Sequence, residues 1–154
     1  MKRFLLLALA ALTTGIAQAN FVALESEVYT ESAYGTVYRV YATFDDPSDE
    51  LVAVYALETS PMVLDVSTSF YQDAVGAALG HTINPAFYGA FPSLEFDSWF
   101  TIGSADSDGT SDIQQVGMDA AFASFEAGGG FTLDAFVGGS FFLIPNVSTD
   151  AEAG

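Results

Sequence analysis

The chain has 154 residues, with 3 basic residues against 20 acidic ones and no cysteine. Its formal charge of −17 excludes nucleic acid as a natural partner, since phosphate binding needs a basic surface, and instead favours cations or a partner with a basic face. The absence of cysteine excludes thiol catalysis, thiolate metal sites and disulfide frameworks.

Residues 1–19 predict a secretory signal peptide. A positively charged start is followed by the apolar run Phe4–Leu12 and by a small-x-small cleavage pattern ending at Ala19. The apolar run is far shorter than the roughly 20 residues of a spanning helix, so an uncleaved membrane anchor is the less favoured alternative. We therefore expect cleavage near Ala19-Asn20 and a secreted or cell-surface protein with no membrane span in the mature chain.

Cleavage at this point leaves 135 residues, enough for one domain, with all 20 acidic residues and Arg39 as the only basic one. The mature formal charge is then −19. Like charges destabilise a compact fold unless salt or bound divalent cations screen them. The balance predicts adaptation to a saline habitat, such as that of a marine or halophilic bacterium, with specific ion binding as the alternative.

Short β patterns broken by Gly, Pro, Asp and Ser recur along the mature chain. Phe21–Thr30 and Thr36–Phe44 predict the first two strands, and in the second strand Tyr38, Val40 and Ala42 share one face with Phe44. A short helical turn is predicted near 85–91. The further predicted strands are Leu51–Leu57 (apolar throughout, hence buried on both faces), Val63–Phe70, Leu94–Ile102, Ile113–Met118, Ala121–Phe125, Phe131–Val137 and Phe141–Ile144.

About seven to nine short strands at this spacing predict an all-β domain over residues 20–154, folded as an antiparallel β-sandwich of the jelly-roll-like or Ig-like type. No helical periodicity persists long enough to require a major helix.

Groups suited to catalysis are sparse. His81 is the only histidine, and no G-x-S-x-G elbow accompanies it. Zinc is disfavoured because its usual His and Cys ligand set is missing. A carboxylate pair of the kind that glycosidases use stays open as an alternative, because 20 acidic residues place some pair at a suitable distance by chance. We predict that the protein is not an enzyme.

The segment from Asp106 to Asp112 is a candidate calcium loop. It places Asp106, Asp108 and Asp112 around a turn-forming Gly109, and calcium prefers hard oxygen ligands at alternating loop positions. The pattern is partial, because no Glu follows at the expected offset, and Asp and Ser also form ordinary solvated turns. Calcium is the only cofactor that the sequence suggests.

Trp99, the only tryptophan, marks a second candidate site. Alternation along the predicted strand Leu94–Ile102 puts it on one polar face with Glu95 and Asp97. An aromatic ring between acids on a sheet face can stack on a sugar ring or anchor a partner, which makes these three residues a candidate ligand-binding surface. The alternative is structural, with a second layer or the segment 71–93 covering Trp99.

Two motifs carry a family resemblance. The run Tyr38-Arg39-Val40-Tyr41-Ala42 and the later Asp97-Ser98-Trp99, continued by Thr101-Ile102-Gly103, resemble a pattern in uncharacterised secreted proteins of marine bacteria. The resemblance covers residues 36–145 and implies an extracellular β domain, without an activity or functional residues. Those proteins carry carboxy-terminal sorting signals, whereas this sequence ends at Gly154 without one, which suggests a chain truncated at its carboxyl end.

Together these features predict a secreted, non-catalytic module for attachment, matrix or binding, stabilised by calcium if the acidic loops hold it. Divalent cations, glycans or another surface protein are the expected partners. A carbohydrate-binding module using Trp99 is the first alternative, and a small glycoside-active enzyme using a carboxylate pair is the second.

Overall fold

The computed structural model describes residues 20–144. The predicted signal peptide, residues 1–19, and the end of the predicted domain, residues 145–154, lie outside the described residues. Within 20–144 the chain forms seven strands, one α-helix and three short 3₁₀ helices, the latter at Gly80–Thr82, Pro85–Phe87 and Pro92–Phe96. The other elements are β1 (Phe21–Ser32), β2 (Gly35–Phe44), β3 (Ala53–Ala56), β4 (Met62–Leu64), β5 (Ile113–Val116), α1 (Asp119–Glu126), β6 (Phe131–Leu133) and β7 (Gly139–Leu143).

The strands form three small antiparallel sheets. The hairpin β1-β2 stands alone, β3-β7-β5 is the central sheet, and β4 pairs with β6. A mostly β chain with one short helix fits the predicted all-β class. Sheets of two or three strands do not confirm the predicted sandwich.

The central sheet buries one face. Along β7 the odd-numbered residues Gly139, Phe141 and Leu143 are buried, whereas Ser140 and Phe142 are partly exposed, as expected when alternate side chains point to opposite faces. On the outer face Tyr55 of β3 pairs with Ser140 and is 64% exposed. The prediction of a strand buried on both faces at Leu51–Leu57 is therefore wrong.

An aromatic cluster fills the space between the inner face of this sheet and α1. The ring of Phe100 lies 4.7 Å from that of Phe125 and 5.8 Å from those of Phe122 and Phe141, measured between centroids. Met118, fully buried, completes the core at the start of the helix. Burying several Phe side chains in contact supplies much of the apolar area that this small domain can remove from water.

The structure has helix α1 where the strand Ala121–Phe125 was predicted. Ala121, Phe122 and Phe125 are its buried residues, a spacing that one helix face satisfies. Gly128, two residues beyond the end of the helix, has a φ of +83° that suits glycine. Its N–H donates to the carbonyl of Phe125, and the N–H of Gly129 donates to the carbonyl of Ser124. This is the Schellman pattern of helix termination.

The predicted strand Leu94–Ile102 is also absent. Pro92 begins a 3₁₀ helix that ends at Phe96, and Phe100 forms only an isolated bridge with Leu79. Leu94 and Ile102 are nevertheless buried, as the pattern predicted. The short helical turn predicted near 85–91 is confirmed by the 3₁₀ helix Pro85–Phe87.

Candidate binding surface on the first hairpin

The hairpin β1-β2 forms a sheet of its own and carries many of the exposed large apolar side chains of residues 20–144. Its strands join through the two-residue turn Ala33-Tyr34, where the Ser32 hydroxyl accepts a hydrogen bond from the Tyr34 N–H (3.1 Å) and donates to the Gly35 carbonyl (2.9 Å). Gly35 has a φ of +126°, which glycine adopts without strain. No other helix or strand of residues 20–144 packs along the length of this hairpin.

One side of the hairpin is apolar. The register pairs Val28 with Tyr38, Ser26 with Val40 and Leu24 with Ala42, so these side chains share a face. Phe21 joins them at the open end, opposite Phe44. We define the apolar hairpin face by its five large exposed members: Phe21, Leu24, Val28, Tyr38 and Val40.

The apolar hairpin face is open to solvent. Its five side chains are between 55% and 69% exposed. Since aromatic side chains present about 150–250 Å² each and aliphatic ones somewhat less, the patch is on the order of 500 Å². This is the size of the largest apolar patch on a typical monomer, and such patches are often functional.

The opposite side is polar and carries the only cation of the described residues. The guanidinium of Arg39 lies 3.6 Å from the centroid of the Tyr29 ring, in a cation–π contact. Glu27, which faces Arg39 across the strands, accepts a hydrogen bond from the Tyr41 hydroxyl at 2.9 Å. We call this side, with Glu25, the charged hairpin face.

The hairpin is attached to the rest of the molecule at its two ends. At the tip, the Tyr34 ring lies 4.2 Å from the Tyr71 ring and 5.8 Å from the Phe96 ring. At the base, Asn20 donates from its backbone N–H to Asp49 in the loop after β2 (3.2 Å), and its side-chain amide closes the open end of the hairpin by donating to Asp45 (2.8 Å). Attachment at both ends leaves the middle of the apolar face uncovered.

The structure does not bring Trp99, Glu95 and Asp97 onto one surface. Glu95 is exposed at the end of a 3₁₀ helix, Trp99 is half-buried against Gly80, and Asp97 is buried. The helix and the irregular chain after it break the alternation on which the shared face depended. Gly80 belongs to the segment 71–93, which was the structural alternative for Trp99.

Asp97 instead orders the loop that precedes it. Its carboxylate accepts hydrogen bonds from the backbone N–H groups of Asp73 (2.8 Å) and Ala77 (3.1 Å). Burial raises the pKa of Asp97, although these N–H donors oppose the shift. Asp73 differs, since hydrogen bonds from Ser93 and from the Val75 N–H lower the pKa of its carboxyl group.

The three residues of the candidate calcium loop do not converge. Asp106 accepts a hydrogen bond from the Asp108 N–H at 3.0 Å, and Asp112 accepts one from the Gln114 side chain at 2.9 Å. The loop is closed by Ser104 and Ser111, whose hydroxyls each accept from the backbone N–H of the other. Nowhere in residues 20–144 do three or more His, Asp or Glu side chains form a group that could hold a metal ion.

His81 lies half-buried near Asp112. Burial lowers the pKa of its imidazole, and the charge of Asp112 opposes this shift. Among the described residues, its Nδ1 atom has no hydrogen-bond partner.

The sequence contained part of the signal for the hairpin surface. Alternation in β2 predicts that Tyr38, Val40 and Ala42 share one face, and the register places them together. Leu24, Ser26 and Val28 of β1 alternate in the same way and lie on the same face. Neither strand reveals on its own that no second layer of residues 20–144 covers them.

No protein-family model, curated protein or solved structure matches this chain. Within residues 20–144 no helix has the length and apolar character needed to cross a membrane.

Proposed function

We propose that this protein is a secreted, non-catalytic attachment module that contacts its partner through the apolar hairpin face. The observation that carries the proposal is the exposure of five large apolar side chains on a hairpin that forms a sheet of its own. A solvent-exposed apolar patch lowers solubility unless contact with another molecule covers it. The predicted signal peptide supports a place outside the cell for this contact.

The high negative charge also supports a contact made by apolar groups. Residues 20–154 carry a formal charge of −19, so most of the surface repels anionic polymers and anionic membranes. The side chains in the middle of the apolar hairpin face are all uncharged, because Glu25, Glu27 and Arg39 point to the other side. An attachment through this face therefore strengthens as salt screens the surrounding charge.

The test is adsorption of the exported chain, expressed from its full sequence and purified after export. We expect it to bind polystyrene beads in high salt, and the substitution Val40→Glu to reduce binding several-fold. Tyr41→Glu adds the same charge on the charged hairpin face and should bind nearly as the wild type does. Cellulose and chitin beads test the carbohydrate alternative.

Three results would count against this function. Equal adsorption of the two Glu variants would show that the apolar hairpin face is not the contact. Binding to cellulose or chitin that Trp99→Ala abolishes would favour a carbohydrate-binding module. Turnover of a polysaccharide or ester at an ordinary enzymatic rate, lost on substitution of one carboxylate, would make the protein an enzyme.

A further inference from the structure

We infer that the partner of the apolar hairpin face is the same face of a second copy of this chain. The inference rests on the proposed function, because it names the molecule that the attachment surface meets. In this arrangement Val40, Tyr38 and Leu24 of one copy pack against their equivalents on the other, across a two-fold axis.

The distribution of charge favours a partner whose contact surface is apolar and uncharged. Glu25 and Glu27 lie on the charged hairpin face, while Glu31 is near the tip, where the Thr36 hydroxyl donates to it at 2.9 Å. A basic protein would find no carboxylate in the middle of the apolar face. The same face of a second copy is also uncharged in its middle, so the contact itself places no like charges together, and salt screens the repulsion between the two acidic chains.

The size and shape of the face suit self-association. A patch on the order of 500 Å² on each copy removes about 1,000 Å² in total, the lower limit for a specific protein interface. Two-stranded ribbons are twisted, and two ribbons of the same twist can stack face to face at about 10 Å, as the two sheets of a sandwich do. An isolated hairpin is marginally stable in water, so stacking supplies the burial that β1-β2 lacks.

The effect of salt on affinity distinguishes an apolar contact between two copies from binding to a basic partner. Two copies with a formal charge of −19 each repel at long range, and salt shortens the distance over which they do so. Association between copies therefore strengthens with NaCl, whereas binding to a basic partner weakens.

The test is sedimentation equilibrium of the exported chain over a range of micromolar concentrations, in about 0.1 M and about 1 M NaCl. We expect a monomer–dimer equilibrium that shifts toward dimer in high salt. Val40→Glu should weaken dimerisation at least about 100-fold, since a two-fold interface buries the new charge twice without a partner. Val40 is 64% exposed in the single chain, so the substitution buries no charge in the monomer.

Tyr41→Glu is the matched control, because it adds an equal charge to the neighbouring position on the charged hairpin face. Unchanged circular dichroism and thermal unfolding of both variants at low concentration show that the fold is kept. The inference is overturned by a chain that stays monomeric in about 1 M NaCl, whether the face is free or covered by residues 145–154, or by equal dimerisation of the two variants. If the chain is a monomer and its adsorption to polystyrene depends on Val40, the inferred dimer is wrong and the proposed attachment function stands. If the chain dimerises but adsorbs to none of the beads, the dimer stands and the proposed attachment function is wrong.

Discussion

The carboxylate of Asp97 and the backbone of Gly76 are packed so closely that a methyl group on Gly76 would overlap the carboxylate. Gly76→Ala must therefore displace a buried acid from the N–H groups of Asp73 and Ala77. Overpacking together with weakened hydrogen bonds should lower the free energy of unfolding by about 2–4 kcal/mol. Chemical denaturation measures this change.

Gly89→Ala is the control for that substitution. Gly89 is exposed, and a methyl group there meets no atom within 4 Å. Its free energy of unfolding should stay within about 0.5 kcal/mol of the wild type. Equal losses in the two variants would show that the contact between Gly76 and Asp97 does not carry the effect.

The pKa values of Asp97 and Asp73 should lie on opposite sides of the pKa of an ordinary aspartate. Burial raises the pKa of Asp97, and hydrogen bonds lower that of Asp73. Carboxyl carbon NMR during a pH titration should show Asp73 losing its proton at the lower pH. Asp73→Asn should also lower the pKa of Asp97, because the charge of Asp73 contributes to raising it. The reverse order of titration would contradict the geometry of this loop.

These shifts have opposite effects on stability. The raised pKa of Asp97 means that the folded state binds its proton more readily than the unfolded state does. The stabilising contribution of Asp97 is present at low pH and disappears as the pH rises through its folded-state pKa. The contribution of Asp73 is present above its unfolded-state pKa and is lost as the pH falls through its lowered folded-state pKa.

Among the elements, the two hairpin strands were predictable and two later segments were not. Alternation in β2 is uninterrupted and is bounded by Gly35 and by the acidic loop after Phe44, so local signals are sufficient. Leu94, Phe96, Phe100 and Ile102 also alternate, but Pro92 starts a 3₁₀ helix, and packing against residues 71–80 determines the rest.

Helix α1 is a second segment in which the apolar pattern of the sequence does not determine the secondary structure. Phe122 and Phe125 are compatible with either a strand or a helix, and over a few residues periodicity cannot decide between them. The glycines that end the helix are as compatible with a turn between strands as with a helix end. The sequence near Asp97 does not indicate its buried role, because the loop N–H groups that it binds are 20 and 24 residues away along the chain.

Tyr34 should control the local stability of the whole hairpin, since its contacts with Tyr71 and Phe96 attach the tip. Tyr34→Ala should accelerate hydrogen exchange of the amides in β1 and β2 at least several-fold and leave β7 unchanged, because local opening follows local packing. Mass spectrometry of exchanged peptides measures this effect at low protein concentration.

Tyr55→Ala is the matched control, since it removes another exposed tyrosine, from the outer face of the central sheet. It should not accelerate exchange in the hairpin. Unaltered hairpin exchange in Tyr34→Ala would mean that the stacked rings at the tip do not hold it.

At the scale of the whole molecule, the acidic balance should make stability depend on ionic strength rather than on calcium. The described carboxylates form no group of three that could hold a metal ion, and a formal charge of −19 repels itself. The unfolding temperature should rise by several degrees with NaCl, and CaCl₂ at matched ionic strength should add nothing further. A calcium-specific rise, abolished by EDTA and by Asp106→Asn with Asp108→Asn, would restore the calcium loop.

The absence of lysine and the position of Arg39 give the mature chain an unusual response to proteolysis. Trypsin cuts after basic residues, and in residues 20–154 its only target is the peptide bond between Arg39 and Val40. That bond lies in the middle of β2, where cutting requires the paired strands to open. Digestion into two fragments is therefore a direct assay of hairpin opening, and any molecule that covers Val40 should slow it.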